Sequence, residues 1–295
     1  AGNASIAIGK NALAAQNTSG DVFNTAVGFA AGAAVTTGEA NTLLGGNSGD
    51  GLTTGNDNVT VGYLAGRTNT TGKRSVAIGR SALQLANNTT SADVYNTAVG
   101  ALAGLVVTTG AHNTFLGGQA GDAAETVNFS TLVGAATSCG DTSSDNCNGF
   151  GYAINAVSGF TTVGIGASDI RAQHGVATWA TVSDERYKKD IADSSLGLSF
   201  INALKPRTFK YKTLGELPET FRAYEEGSSE IYKFPETQHG FIAQEVKTAI
   251  DADSGVADGF KMWAERPDGS QEVAEAALIP VLVKAIQEQQ TLITA

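Results

Sequence analysis

Eight times between Ile6 and Gly134 the chain passes from a β-branched residue, over one position, to an aliphatic residue and then glycine. The runs are Ile6 to Gly9, Thr25 to Gly28, Thr42 to Gly45, Val59 to Gly62, Val76 to Gly79, Thr97 to Gly100, Thr114 to Gly117 and Thr131 to Gly134. The steps from one of these glycines to the next are 19, 17, 17, 17, 21, 17 and 17. A period near 17 is too short for a helix pair, and Val, Ile and Thr suit a pleated strand. Asn precedes the β-branched residue in five units (Asn24, Asn41, Asn58, Asn96, Asn113), and Thr-Gly recurs in the turns between them. Residues 21–28 return almost unchanged as 93–100, a shift of 72, so four units were duplicated as a block.

One short strand, a glycine and a polar turn make one rung of a β-roll or β-solenoid, with Gly and Asn taking left-handed turn conformations. Ala-Gly pairs such as Ala31-Gly32 and Ala103-Gly104 suggest close backbone approach. A rung this thin is not expected to bury a core alone, so several chains are expected to share one, in a symmetric trimer. The expected architecture is a mainly β trimeric rod over residues 1–170, a linker over 171–182, and an α+β domain over 183–295 ending in a long helix. Composition agrees with the division. Residues 1–173 hold 28 Gly with 6 Lys/Arg and 10 Asp/Glu, whereas the remainder holds 8 Gly, all five Pro, 13 Lys/Arg and 19 Asp/Glu. The net charge of −10, with no basic cluster, leaves no footprint for nucleic acid. No stretch approaches the ~20 apolar residues of a membrane span, so no membrane insertion is expected. No basic segment leads into an apolar one at the start, so no signal peptide is expected, and a chain starting on Ala1 is expected to be a fragment.

Asn96-Thr97-Ala98-Val99-Gly100 and Ser75-Val76-Ala77-Ile78-Gly79 resemble the head repeats of YadA-type trimeric adhesins and related rungs of bacteriophage tail fibres, over about residues 3–166. The resemblance implies either a rigid spacer or a receptor-facing shaft, with the loops 86–93 and 137–149 as candidate contacts to a host surface.

The second part carries four blocks in order: Ser183-Asp184-Glu185-Arg186-Tyr187-Lys188-Lys189-Asp190; Ile201-Asn202-Ala203-Leu204-Lys205-Pro206-Arg207-Thr208-Phe209; His239-Gly240-Phe241-Ile242-Ala243-Gln244-Glu245; and Leu278-Ile279-Pro280-Val281-Leu282. Together they resemble the C-terminal intramolecular chaperone of phage tail spikes and fibres, the endosialidase type. That resemblance implies a domain that drives trimerisation of the β-structured stalk and then cuts itself off with a Ser-Lys dyad, here Ser183 and Lys188. Lys serves as base only with its pKa brought below ~10.4 by burial or neighbouring positive charge, and Arg186 and Lys189 are near in sequence. Five residues place the two side chains about 140° apart on a helix and on opposite faces of a strand. A turn between them is therefore required, or a Lys from another chain. Attack by Ser183 on the Val182 carbonyl closes a five-membered ring, whereas attack on its own carbonyl closes a four-membered one. Cleavage is expected at a bond flanking Ser183, to Val182 or Asp184, the resemblance favouring Asp184. The competing local reading is an ordinary helix start with Ser183 or Asp184 as N-cap.

Ile279, Leu282, Ile286, Gln289 and Ile293 step by 3, 4, 3 and 4, the seam of a trimeric coiled coil. Cys139 and Cys147 bracket a short loop and could close a disulfide in an extracellular particle. No metal or cofactor is expected, and the isolated His112, His174 and His239 suggest no triad. The expected protein is a tail fibre or spike component of a virion, a homotrimer that meets a host receptor, with a glycan as one candidate. Its C-terminal domain assembles the rod and then removes itself by autoproteolysis. The alternative is a non-enzymatic trimeric adhesin or fibre with an inert assembly domain.

Overall fold

The computed structural model describes residues 4–88, 93–140, 143–256 and 259–295, so parts of the loops 86–93 and 137–149 lie outside the described residues. Two compact units divide the chain, Ala1–Asp184 and Glu185–Ala295. The first is a β-solenoid. Its rung strands are β1 (Ile6–Ile8), β2 (Thr25–Val27), β3 (Thr42–Leu44), β4 (Val59–Val61), β5 (Val76–Ile78), β6 (Thr97–Val99), β7 (Thr114–Leu116) and β8 (Thr131–Val133). A two-residue β9 (Ser138–Cys139) and β11 (Asn155–Ala156) pair aside, and the ladder continues through β10 (Asn148–Tyr152) and β12 (Phe160–Ile165). From β1 to β12 the stacked strands are parallel, in unshifted register at every step.

The unit ends differently from the expected linker. Residues 168–173 form β13 (Ser168–Gln173) and 179–181 form β14 (Trp179–Thr181), both antiparallel, so the segment 171–182 caps the sheet instead of leaving it. The Gly-step repeat stops here, but a strand needs only alternation and a partner edge.

In rungs β2 to β8 the central strand residue points inward and is buried: Ala26, Leu43, Thr60, Ala77, Ala98, Phe115, Leu132; in the terminal β1 it is exposed. The expectation that a rung cannot bury its own core is corrected. Turn residues Val35, Leu52, Val107 and Val127 are also fully or almost fully buried and close the interior within one chain. The Ala-Gly pairs make a different close approach from the one expected. A Cβ on Gly32 or Gly104 would meet the side chains of Leu43 or Phe115. Backbone contact falls instead on the aligned glycines: Gly62 has φ +129°, and a Cβ there would lie 2.7 Å from the carbonyl carbon and oxygen of Gly79.

The Asn residues share the parity of the buried strand centre and stack into an interior ladder. Asn41 donates through Nδ2 to Asn24 Oδ1 (3.1 Å) and to Gly55 O (2.9 Å), and its own Oδ1 accepts from the N–H (3.0 Å) and Nδ2 (3.1 Å) of Asn58. Asn96 and Asn113 repeat the pattern, while Ser75 and Ser130 end each run by donating a backbone N–H to the Asn before them. The buried amide groups of this column are thereby matched, which a buried polar column requires. Asn41→Ala would strand several buried partners at about 1–3 kcal/mol each. Thermal unfolding should show a loss of roughly 2–4 kcal/mol, with Asn41→Ser milder because Ser already occupies this column.

The second unit is α+β. Helices α1 (Leu198–Ala203), α2 (Ala243–Ala252) and α3 (Leu278–Thr294) enclose Phe200, Leu204, Val246, Met262, Leu278 and Val281. Two antiparallel pairs flank them, β15 (Arg207–Phe209) with the distant β16 (Gln238–Gly240) and the hairpin of β17 (Trp263–Glu265) with β18 (Gln271–Val273). Glu288 on α3 accepts the N–H of Leu198 at the start of α1 (2.8 Å), tying the last helix to the first.

Candidate active site

Strand β14 delivers the chain to Val182 and Ser183, both exposed, and Asp184 is half-buried. A single 3-10 turn follows, Glu185–Tyr187, and the Lys188 N–H donates to Glu185 O at 2.8 Å. The segment between Ser183 and Lys188 therefore holds a 3-10 turn and not the first turn of an α-helix. Lys188 is exposed, as is Ser183, and the boundary between the two compact units falls between Asp184 and Glu185. Each residue of the expected dyad therefore belongs to a different unit. Exposed apolar side chains flank the turn: Trp179, Val182, Tyr187 and Ile191.

The three downstream blocks meet in one place. Arg207 of β15 forms a two-pronged ion pair with Glu245 of α2, Nε to Oε2 at 2.9 Å and Nη2 to Oε1 at 2.5 Å, so the second and third blocks are joined by charge as well as by strand pairing. Hydrogen bonding to Arg207 holds the Glu245 carboxyl below its usual range. The fourth block supplies Leu278 and Val281 to the core that also holds Phe200 and Val246. His239 is exposed on β16 opposite Thr208 and lines an open cleft of about 580 Å3 with Arg207 and Glu275. Nothing in the sequence singled out this cleft, whose walls come from segments far apart in the chain.

The β17–β18 turn is held by Asp268, whose carboxylate accepts from Ser270 Oγ (2.6 Å), Ser270 N (2.9 Å) and Arg222 N (3.1 Å) and is lowered to about 2. A lowered folded pKa favours the fold above the ordinary carboxylate range, and this contribution fades as pH falls towards 2.

Cys139 and Cys147 are both buried, in the cluster that contains Leu132 and Ala156. The Cys147 N–H also extends the interior ladder by donating to Ser130 Oγ (3.1 Å).

The first unit is a β-solenoid closed by two antiparallel strands, and an exposed serine near its end leads through a 3-10 turn into the α+β unit. Residues 183–254 match the Peptidase_S74 family, described as the chaperone of endosialidase. The matched stretch starts on Ser183 and runs through α1, β15, β16 and α2. For this region the match implies a self-cleaving peptidase domain, and with the solenoid it fits a tail fibre with a C-terminal chaperone. Neither a curated protein nor a solved structure matches the chain.

Proposed function

We propose that the chain is a homotrimeric bacteriophage tail-fibre component for host attachment, whose second unit assembles the solenoid and then cuts itself away at Ser183. The family match beginning on Ser183 carries the reading. Two surfaces support the trimer. Parallel sheets are ordinarily covered on both faces, yet one outward column of this one is exposed and apolar: Leu44 is 45% and Leu116 47% exposed, in line with Ile8, Ile78, Phe150 and Val163. On α3, Leu278, Val281 and Ala285 pack inward, which leaves the heptad seam Ile279, Leu282, Ile286, Gln289 and Ile293 on the exposed side, from 42% at Leu282 to 78% at Ile293. Copies of the same chain satisfy both surfaces at once.

Assembly also gives the dyad its setting. The exposed apolar residues around Ser183 are then covered, Lys188 is desolvated, and its amine takes the Ser183 hydroxyl proton. Ser183 Oγ attacks the Val182 carbonyl through the five-membered ring, an ester forms as the Val182–Ser183 peptide bond breaks, and the proton passes to the Ser183 nitrogen, whereas breaking the bond to Asp184 requires a hydroxyl from elsewhere. Water then hydrolyses the ester. Slow pairing of non-local β-rungs is a reason for a template, and its removal leaves the assembled fibre kinetically trapped.

Oligomeric state and cleavage are to be followed together. The full chain should sediment as a trimer and give two fragments on a denaturing gel. Ile286→Glu, at an exposed position, should cut both trimer and fragment yield by more than tenfold while the helical circular dichroism persists. A monomer that cleaves at the wild-type rate would remove the assembly requirement, and a trimer that never cleaves would favour the inert assembly domain.

A further inference from the structure

One outward column of the solenoid changes character between the two duplicated blocks. Its residues sit directly before the interior ladder: Phe23, Ala40 and Asp57 in the first block correspond, at the same shift of 72, to Tyr95, His112 and Phe129. In the second block the three rings adjoin in series, Tyr95 tilted at 42° against His112 and His112 stacked on Phe129. Tyr95 and His112 have centroids 5.5 Å apart, and His112 and Phe129 are 5.0 Å apart at 24°. Tyr95 is 46% and Phe129 58% exposed. Arg74, the next residue of the column, lies over the Tyr95 ring at 5.7 Å and donates to Tyr95 Oη at 3.0 Å. It also pairs with Asp93, and its Nε lies 3.7 Å from Asp57.

The fold does not call for this strip. The first block builds the same rungs with Ala40 and Asp57 in the corresponding places. Bulky residues here also adopt left-handed backbone, φ +50° at Tyr95, +62° at His112 and +54° at Phe129, at a cost of order 1 kcal/mol or more each. Charged groups at one end set this column apart from the exposed apolar one, because the core of a protein interface is depleted of charge.

We propose that Arg74, Asp93, Tyr95, His112 and Phe129 form a binding strip for a neutral oligosaccharide. This rests on the reading of the solenoid as the host-contacting part and gives that contact a place and a ligand class. The rings offer apolar surface to the C–H faces of sugars, and the Tyr hydroxyl, guanidinium and carboxylates offer donors and acceptors to hydroxyl groups. Charge selects the neutral class. Asp57 and Asp93 outnumber Arg74, and residues 1–173 carry 10 acidic against 6 basic side chains, so an anionic glycan is repelled.

The test is an array of neutral and acidic oligosaccharides probed with the purified full chain and with the double variant His112→Ala/Phe129→Asp. That variant installs the residues that the first block already tolerates at these positions, and Tyr95→Phe, the first block's Phe23, is the second variant. The full chain should bind neutral oligosaccharides, with at least a tenfold loss in the double variant at unchanged melting temperature and a smaller loss in Tyr95→Phe. No neutral binding, binding confined to acidic glycans, or binding indifferent to the substitutions would overturn the proposal. A variant that only melts earlier, with no glycan signal in either protein, would make the stack a stabilising ladder and nothing more. Self-cleavage is read on the same samples, so loss of glycan binding and failure of the processing reading are seen separately.

Discussion

Ser183→Ala will leave the 30.1 kDa chain as one band under conditions in which the wild-type chain has become two fragments whose masses sum to that of the chain plus one water. Without the hydroxyl no ester can form, so no slow residual cutting at this position is expected, and the trimer should still assemble. Lys188→Ala tests the base. Loss of a positioned general base costs roughly 10²–10⁴-fold, so cleavage should persist only over much longer times. Lys188→Arg should be as slow as the alanine variant, because a guanidinium keeps its proton. A Lys188→Ala chain that cuts at the wild-type rate would sink the dyad. The mass of the first fragment also identifies the bond: it ends at Val182 if Ser183 attacks the carbonyl before it, and at Ser183 if the bond to Asp184 breaks.

Gly62→Ala is expected to have the second large effect, on the solenoid and not on the chemistry. A methyl group there meets the Gly79 carbonyl at 2.7 Å, and φ +129° is closed to alanine. The neighbouring backbone cannot yield, because Gly79 is stacked in turn against Gly100. A loss of about 3 kcal/mol or more should appear in thermal unfolding, from left-handed strain together with the clash. Gly20→Ala is the matched control, since nothing lies within 4 Å of a Cβ built there. Equal melting of the two variants would mean that the glycine column bears no close contact.

The rung pattern is legible in the sequence because a strand needs β-branched residues and the stacked backbone needs glycine, and both recur at one period. The interior Asn ladder is also within reach. Asn24 and Ala26 share strand parity, so a buried Ala26 implies a buried Asn24. Self-sufficiency of the core does not follow from the strand residues alone, because Val35, Leu52, Val107 and Val127 bury from turns. The strands at 168–173 and 179–181 carry no such signature, since the repeat's glycine signal ends before them. In the second unit, four ordered blocks are recognisable along the chain, but their convergence is not. The Arg207–Glu245 pair spans 38 residues and the Glu288 contact with Leu198 spans 90, and no local pattern announces either.

Register in the solenoid has an evolutionary corollary. The long step of 21 from Gly79 to Gly100 still sets Thr97 against Val76, so the longer connection leaves the strand register unshifted. Each rung meets only its neighbours, and the antiparallel strands β13 and β14 close the stack at a fixed end. Whole rungs can therefore be gained or lost ahead of the cap without disturbing the fold of the second unit. Reach becomes a quantity that lineages can adjust in steps of one turn, and the duplicated block is the record of one such adjustment by four turns at once.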